Sequence, residues 1–212
     1  MNMTERPTST IDRRRILRTG GLAAGAAALL AAPTVARAVE PETEELVFDV
    51  ALDGRTMRVV RGPQSDPNSP AEVGDTFVMY GNIFPAGTFD QGSTSPDQPG
   101  AIGRWICSGA FNVDIASGGV PHVISTVQHI LDSGLSIAEG AVEEAPDAIV
   151  HVGLEGGVPV THRAIIGGYG RFANVRGEGL QELRGENDTL IQVTPDVTVP
   201  ASSYTFTFRL AR

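Results

Sequence analysis

Beyond residue 38 the chain lacks the three-to-four-residue apolar spacing of an amphipathic helix, and this restricts its fold more than any other feature. Short β-branched or alternating runs follow one another instead, separated by Gly, Pro, Asn and Asp. Eight or nine strands without crossover helices are too many for an open sheet with free edges. The sequence therefore predicts an all-β fold, a single eight-stranded antiparallel β-barrel. Ten candidate runs, from which we expect eight or nine strands, cover residues 45–52, 55–60, 74–84, 102–115, 120–131, 135–142, 149–154, 160–166, 174–183 and 203–210.

The last run shows the strand alternation most clearly. Tyr204, Phe206, Phe208 and Leu210 share one face, and the residues between them share the other. An eight-stranded barrel has an interior wide enough for packed side chains or for one small ligand. We also expect a turn at Asp53-Gly54 between the first two runs, and a long loop over residues 85–100.

The first 38 residues have the pattern of a twin-arginine export signal. Arg13 and Arg14 lie in a polar-Arg-Arg-x-apolar-apolar-basic stretch, which a short segment rich in Ala and Gly follows. Ala36-Arg37-Ala38 matches a small-x-small cleavage site. We therefore expect residues 1–38 to be a signal peptide, residues 39–212 to be one barrel domain, and the protein to be exported from a bacterial cell to the periplasm, envelope or medium.

The charge of the expected mature chain restricts its partners. Residues 39–212 contain 10 basic and 23 acidic side chains, and the sequence has no lysine. A formal charge of −13 and the lack of a basic patch argue against a nucleic-acid partner and against an anionic membrane surface.

A glycine-rich stretch at residues 162–183 allows two interpretations. It is either a phosphate-binding loop or a turn between two strands. A dinucleotide fingerprint needs a helix after its last glycine, whereas Asn174, Gly177 and Gly179 disfavour a helix here. We therefore expect a strand, a turn with positive φ over residues 167–170, and a returning strand.

Six short stretches share a pattern of glycines with neighbouring charged or aromatic residues, or carry an acid in an apolar strand. They are Ile102-Gly103-Arg104, Ser108-Gly109-Ala110-Phe111, the block from Ile165 to Phe172 with Gly167-Gly168-Tyr169-Gly170, Val175-Arg176-Gly177-Glu178, the Gly74-Asp75 pair and Asp49. In these stretches the chain resembles the dirigent and allene oxide cyclase superfamily. The resemblance implies an eight-stranded calycin-like barrel, often trimeric, with a mostly apolar pocket in its mouth. It also implies chemistry without a cofactor, either closure of a strained epoxide or guidance of radical and quinone methide coupling.

Three polar residues are the catalytic candidates. Asp49 lies between Phe48 and Val50 and corresponds to the acidic residue of the first strand in the superfamily. In the lumen, desolvation would favour its neutral form and make it a general acid or base; the alternative is a solvated outward carboxylate. Tyr80 and Asn82 share a face and can donate hydrogen bonds to a developing oxyanion, or else lie on the barrel exterior.

Five further residues are candidates for contact with a substrate. Trp105 and Cys107 share one face of a strand and form either the pocket wall or part of the core. Phe111 stands where many dirigent proteins have a tyrosine. His129 and Glu155 are lower-ranked lumen candidates. No cluster of Cys or His has the spacing of metal ligands, so we expect no metal site.

These features favour an exported cofactor-free cyclase, isomerase or dirigent-like protein that acts on an apolar small molecule. The first alternative is a secreted lipocalin-like protein that binds such a molecule without changing it. The second is an envelope protein whose barrel is filled by side chains. Ionisable groups converging in an open lumen would favour the cyclase, isomerase or dirigent-like protein over both alternatives. A homodimer or homotrimer is the oligomer that the resemblance suggests.

Overall fold

The structure, a computed structural model, describes residues 43–92, 94–113, 123–131, 146–155 and 159–212. The predicted signal peptide and the predicted strand at 135–142 lie outside these residues. The described chain forms eight strands: β1 (Thr43–Val60), β2 (Thr76–Pro85), β3 (Gly103–Phe111), β4 (Val123–Leu131), β5 (Asp147–Glu155), β6 (Val160–Tyr169), β7 (Arg176–Thr194) and β8 (Val197–Ala211).

The strands close into one antiparallel barrel in sequence order, which confirms the predicted fold class. Closure occurs between the first and last strands: Phe48 of β1 is paired with Pro85 of β2 on one side and with Phe206 of β8 on the other. Closure pairs the backbone groups that an open sheet would leave free at its edges. The described residues include no helix long and apolar enough to cross a membrane.

Predicted boundaries in β1, β7 and β8 are wrong; β8 begins at Val197 and not at residue 203. Residues 45–52 and 55–60 belong to one strand, because the expected turn at Asp53-Gly54 is a β-bulge where the pairing of β1 with β2 shifts between Asp53 and Arg58. Likewise β7 continues beyond residue 183 to Thr194, through three further irregularities in its pairing with β8. Bulges let a strand bend without ending, so turn-forming residues occur inside both strands.

The glycine stretch has the predicted strand–turn–strand order. β6 ends at Tyr169, a short 3-10 turn follows at Gly170–Phe172, and β7 begins at Arg176. Gly170 has a φ of 59°, and its Cα faces the Asp147 carboxylate so closely that a Cβ would lie 2.2 Å from Oδ1. Glycine is therefore required at this position for both backbone conformation and space.

Apolar side chains from all eight strands meet inside the barrel. Phe206 and Phe208 of β8, Trp105 of β3 and Ile149 of β5 are at most 1% exposed and belong to this core. A second, smaller cluster lies outside the sheet, where Phe89 from the loop after β2 covers Phe84 and Ala51. This outer layer buries both faces of β1, which matters for the placement of Asp49.

Candidate functional site

A cavity of about 310 Å³ occupies one end of the barrel. Its lining comes from the second half of β1, the starts of β2, β4 and β6, the ends of β3 and β5, the β7–β8 hairpin, and the loop before β2. Most lining residues are apolar, among them Leu52, Met79, Phe111, Val123, Ile191 and Val199. The polar ones are Glu155, Thr161, Gln181, Gln192, Ser202 and Tyr204. An apolar chamber with a few converging polar groups is typical of small-molecule sites.

Glu155 is the carboxylate of this cavity. It is the last residue of β5, and its side chain is 19% exposed. Oε1 accepts a hydrogen bond of 3.0 Å from Nη1 of Arg163, and the Cys107 thiol lies 3.9 Å from Oε2. Burial raises the pKa of Glu155, although Arg163 and a hydrogen bond from Ser125 act in the opposite direction.

Arg163 lies behind Glu155 and is fully enclosed. Nε donates to Nδ1 of His151 at 3.2 Å, and Nη2 donates to the Ser125 hydroxyl at 2.6 Å and to its carbonyl oxygen at 3.4 Å. Nη1 donates to the Leu154 carbonyl as well as to Glu155. Removing either charge of such a pair would leave the other buried and unpaired, so the pair holds both side chains in place.

Gly153 provides the space that the guanidinium occupies. A Cβ at this position would lie 3.0 Å from both Cδ and Nε of Arg163. Gly153 is paired with Ser125 on β4, so the missing side chain on β5 lets Arg163 of β6 reach across to that hydroxyl. A long basic side chain can therefore lie inside a narrow barrel.

Two other ionisable groups lie near the carboxylate. Cys107 is fully buried, and burial together with the charge of Glu155 raises the pKa of its thiol. Tyr204 lines the cavity, and burial raises the pKa of its phenol above the usual range. Both groups therefore stay protonated near neutral pH, and each can act as a hydrogen-bond donor.

A pair of histidines lies deeper in the lumen. The ring centroids of His129 and His151 are 5.1 Å apart, and both rings contact Phe206 and Phe208. Burial lowers the pKa of His129 to about 3 and the pKa of His151 well below 6.5, so both are neutral. Since Nδ1 of His151 accepts from Arg163, the proton of that ring is on Nε2.

Five of the sequence candidates lie in the lumen. Glu155 and Phe111 line the cavity itself. Trp105, Cys107 and His129 lie in the buried core and do not line it. The expected pairing of Trp105 and Cys107 on one inward face is confirmed, whereas contact of these residues with a substrate stays a prediction.

Asp49 is not in the lumen, and this expectation is wrong. Its neighbours Phe48 and Val50 point inward, so Asp49 points outward. The carboxylate is only 2% exposed because the loop after β2 covers it: Oδ2 accepts from the backbone N–H of Phe89, and Oδ1 from the Thr205 hydroxyl at 2.6 Å. Asp49 therefore anchors a loop to the outer wall of the barrel.

Tyr80 and Asn82 also lie on the outer face, which corrects their assignment to the lumen. Tyr80 is 39% exposed. Nδ2 of Asn82 donates to the carbonyl of Pro96 in the long loop. Phe77 and Met79 are the inward residues of β2 in this region, so the alternation places Tyr80 and Asn82 on the side away from the cavity.

Five site residues are not among the candidates predicted from the sequence: Arg163, His151, Ser125, Gln181 and Tyr204. Tyr204 could have been found, since the alternation of the last strand already placed it with Phe206. Arg163 gave no such signal, because arginines are seldom fully buried. Within the described residues no group of three or more His, Cys, Asp or Glu is arranged to bind a metal ion.

No protein-family model matches the sequence, and no curated protein matches it. Solved structures do match. The pterocarpan synthase dirigent protein PsPTS1 aligns at a TM-score of 0.55 and 12% identity, over 81% of this chain and 96% of its own. The pterocarpan synthase dirigent protein GePTS1 aligns at a TM-score of 0.53 and 13% identity, over 82% of this chain and 87% of its own. The chain therefore shares its eight-stranded barrel fold with these two dirigent proteins.

Proposed function

We propose that this protein holds an apolar small molecule in the barrel cavity and guides its cyclisation, isomerisation or coupling without a cofactor. The observation that carries this proposal is the position of Glu155, a carboxylate with a raised pKa at the polar end of an otherwise mostly apolar chamber. A buried carboxyl group whose pKa is raised can act as a general acid or base. The dirigent-like fold agrees with such a role.

Confinement supplies the first part of the mechanism. A flexible substrate folded against the walls near Phe111 and Met79 loses its other conformations on binding, and this lowers the entropic barrier to ring closure. Expulsion of water from these walls also protects a reactive intermediate from hydrolysis.

Proton transfer supplies the second part. In an isomerisation or cyclisation, Glu155 would pass one proton to a developing oxyanion and take one back from another atom of the same molecule. The protein then returns to its starting state, and no co-reactant is needed. Arg163 keeps the deprotonated carboxylate stable between the two transfers, and the Tyr204 hydroxyl lies at the same cavity for a hydrogen bond.

We further propose export through the twin-arginine pathway, on the strength of the Arg13-Arg14 signal and the cleavage pattern ending at Ala38. This pathway carries folded proteins, which suits a barrel whose strands pair around the whole circumference. Fractionation of the source cells, with Arg13→Lys and Arg14→Lys together as the blocked variant, tests it. Full-length protein retained in the cytoplasm of the variant alone is the expected result.

The experiment on function compares Glu155→Gln with the native protein on a panel of vinylogous epoxides and quinone methides. Product ratios would be followed by chiral chromatography, and cavity occupancy by the fluorescence of Nile red, a neutral dye. We expect Glu155→Gln to lower turnover about 100-fold, the usual scale of general acid–base catalysis, with dye affinity retained. Glu178→Gln, on the exposed outer face, is the matched control.

The outcomes separate the candidate functions. Turnover that Glu155→Gln leaves intact would contradict proton transfer at this residue. Dye binding without turnover on the whole panel would favour the lipocalin-like binding protein. Absence of dye binding would contradict both the proposed catalytic function and the lipocalin-like binding function.

A further inference from the structure

The described lining of the cavity contains an acidic side chain but no basic one. Glu155 is its carboxylate and Tyr204 its phenol, while neither Arg nor His is among the lining residues described. A ligand in this chamber therefore meets a negative or neutral polar group wherever it meets a polar group.

Arg163, the cation that pairs with Glu155, is unavailable to a ligand. Its side chain is fully buried, and five acceptor contacts match the five N–H donors of a guanidinium. An anionic ligand that paired with Arg163 would have to displace Glu155 or Ser125, and the displaced group would remain buried without its partner.

Two acceptors in the cavity lining, on Gln181 and Glu155, can take a further hydrogen bond. Oε1 of Gln181 is buried, lines the cavity and has no hydrogen-bond partner among the described residues. The whole Gln181 side chain is only 5% exposed, so water is largely kept from it. The Glu155 carboxylate accepts from Arg163 and Ser125, and the Cys107 thiol, a weak donor, lies 3.9 Å from its Oε2. A carboxylate has about four acceptor positions, so it can accept from one ligand donor as well. A buried acceptor without a donor costs free energy that a ligand donor would recover.

From these contacts we infer that the cavity selects apolar molecules that carry a hydrogen-bond-donating head, such as a hydroxyl, and rejects those that carry a carboxylate. The inference rests on the proposed function, since it specifies the ligand of the same cavity. The donor would lie between Gln181 and Glu155, and the apolar body would lie against the walls formed by Phe111, Met79 and Ile191.

Three probes of similar size test the selection. Octan-1-ol has a donor, its isomer 1-methoxyheptane has only an acceptor, and octanoate has a charge. Their affinities would be measured at pH 8 by displacement of Nile red. We expect octan-1-ol to bind about tenfold more tightly than the ether, which is the effect of one hydrogen bond. We expect its affinity to exceed that of octanoate by about tenfold or more.

Variants assign the effect to the two residues. Gln181→Met keeps the approximate length of the side chain but removes the acceptor, so it should reduce the preference for the alcohol over the ether. Glu155→Gln removes the negative charge, so octanoate should bind more tightly than it does to the native protein. Gln128→Met is the control, because Gln128 lies between the inward residues Val127 and His129 of β4 and is not among the described lining residues; it should keep the native preference.

Octanoate binding as tightly as the alcohol, or an ether and alcohol of equal affinity, would overturn the inference and leave the proposed function standing. If Nile red and all three probes fail to bind, the proposed function and the inference fail together. Should Glu155→Gln not fold, Gln181→Met still decides between a donor-selective cavity and a merely apolar one.

Discussion

Asp75 is a buried carboxylate that holds the loop before β2 in place, and this loop contributes Ala71 to the cavity wall. Oδ1 accepts from the backbone N–H of Gly62 at 2.8 Å and from the Ser65 hydroxyl; Oδ2 accepts from the N–H of Glu72 and from Arg61, both at 2.9 Å. Burial alone would raise the pKa of Asp75, but these four donors outweigh it and hold the pKa well below its usual range. The Gly-Asp pair of the sequence thus closes the loop before β2, which includes the cavity-lining Ala71.

Replacement of Asp75 with Asn should destabilise the fold. The amide nitrogen would face donors in place of an acceptor, and Arg61 would lose its partner, so we expect a loss of about 3 kcal/mol in the free energy of unfolding. Urea denaturation followed by tryptophan fluorescence measures it. Asp97→Asn, which removes an exposed partner of Arg55, is the control and should leave the midpoint unchanged. A midpoint for Asp75→Asn equal to that of the control would contradict this account.

The orientation of single side chains could be predicted from the sequence only where apolar residues occupy one face of a strand and polar residues the other. His129 and Glu155 were placed in the lumen correctly, and Trp105 and Cys107 were paired correctly. Asp49 was misplaced because β1 is covered on both faces, so its apolar neighbours did not reveal which face was inside. Arg163 was missed because the space it needs is made by a glycine on another strand, Gly153, and only the sheet register relates the two.

The element that shapes the cavity mouth is the extended β7–β8 hairpin. Its residues Ile191, Val193 and Val199 line the chamber, and Thr189 ties it to the bulge of β1. Oγ1 of Thr189 accepts from the N–H of Gly54 at 3.0 Å and lies 2.7 Å from Oδ1 of Asn187. The bulge in β1 and the irregular pairing of β7 with β8, which the sequence did not predict, therefore bring the hairpin over the barrel end.

Loss of this tie should loosen the hairpin and weaken ligand binding. Thr189→Val keeps the shape but leaves the Gly54 N–H and the Asn187 carbonyl without the hydroxyl, so we expect about 2 kcal/mol of destabilisation. A several-fold faster release of Nile red, measured by stopped flow, should accompany it. Thr194→Val, the same change at the far end of β7, is the control. Equal release rates for the two variants would show that the tie does not hold the cavity wall.

For the whole molecule, the barrel interior divides into an apolar chamber at one end and a packed floor of aromatic and imidazole rings below it. The floor contains His129, with neither ring nitrogen bonded to a described residue, and His151, bonded through Nδ1 to Arg163. The register of β3 with β4 pairs His129 with Trp105, and both imidazole rings contact Phe206 and Phe208 of β8. Barrel closure thus keeps two titratable groups neutral, and folding becomes linked to pH.

The linkage has a definite sign. The pKa of His129 is about 3 in the folded protein and 6.5 in the unfolded chain, so between these values the unfolded state binds the extra proton. Stability is therefore complete above pH 6.5 and is lost as pH falls, by about 1.4 kcal/mol per pH unit for this one group. His151 acts in the same direction, while the raised pKa of Glu155 offsets part of the slope.

His129→Phe isolates the contribution of one histidine. The ring already lies edge-on to Phe206 and Phe208, so a phenyl group can take its place without breaking a hydrogen bond among the described residues. We expect unfolding free energies measured between pH 6 and pH 4 to fall less steeply in this variant, by about 1.4 kcal/mol per pH unit. His162→Phe, the same change at an exposed position of β6, should keep the native slope. The native protein and both variants share the contribution of Glu155, so it cancels in the comparison. If the unfolding free energy of His129→Phe falls with pH as steeply as that of the native protein, His129 becomes protonated within the folded barrel.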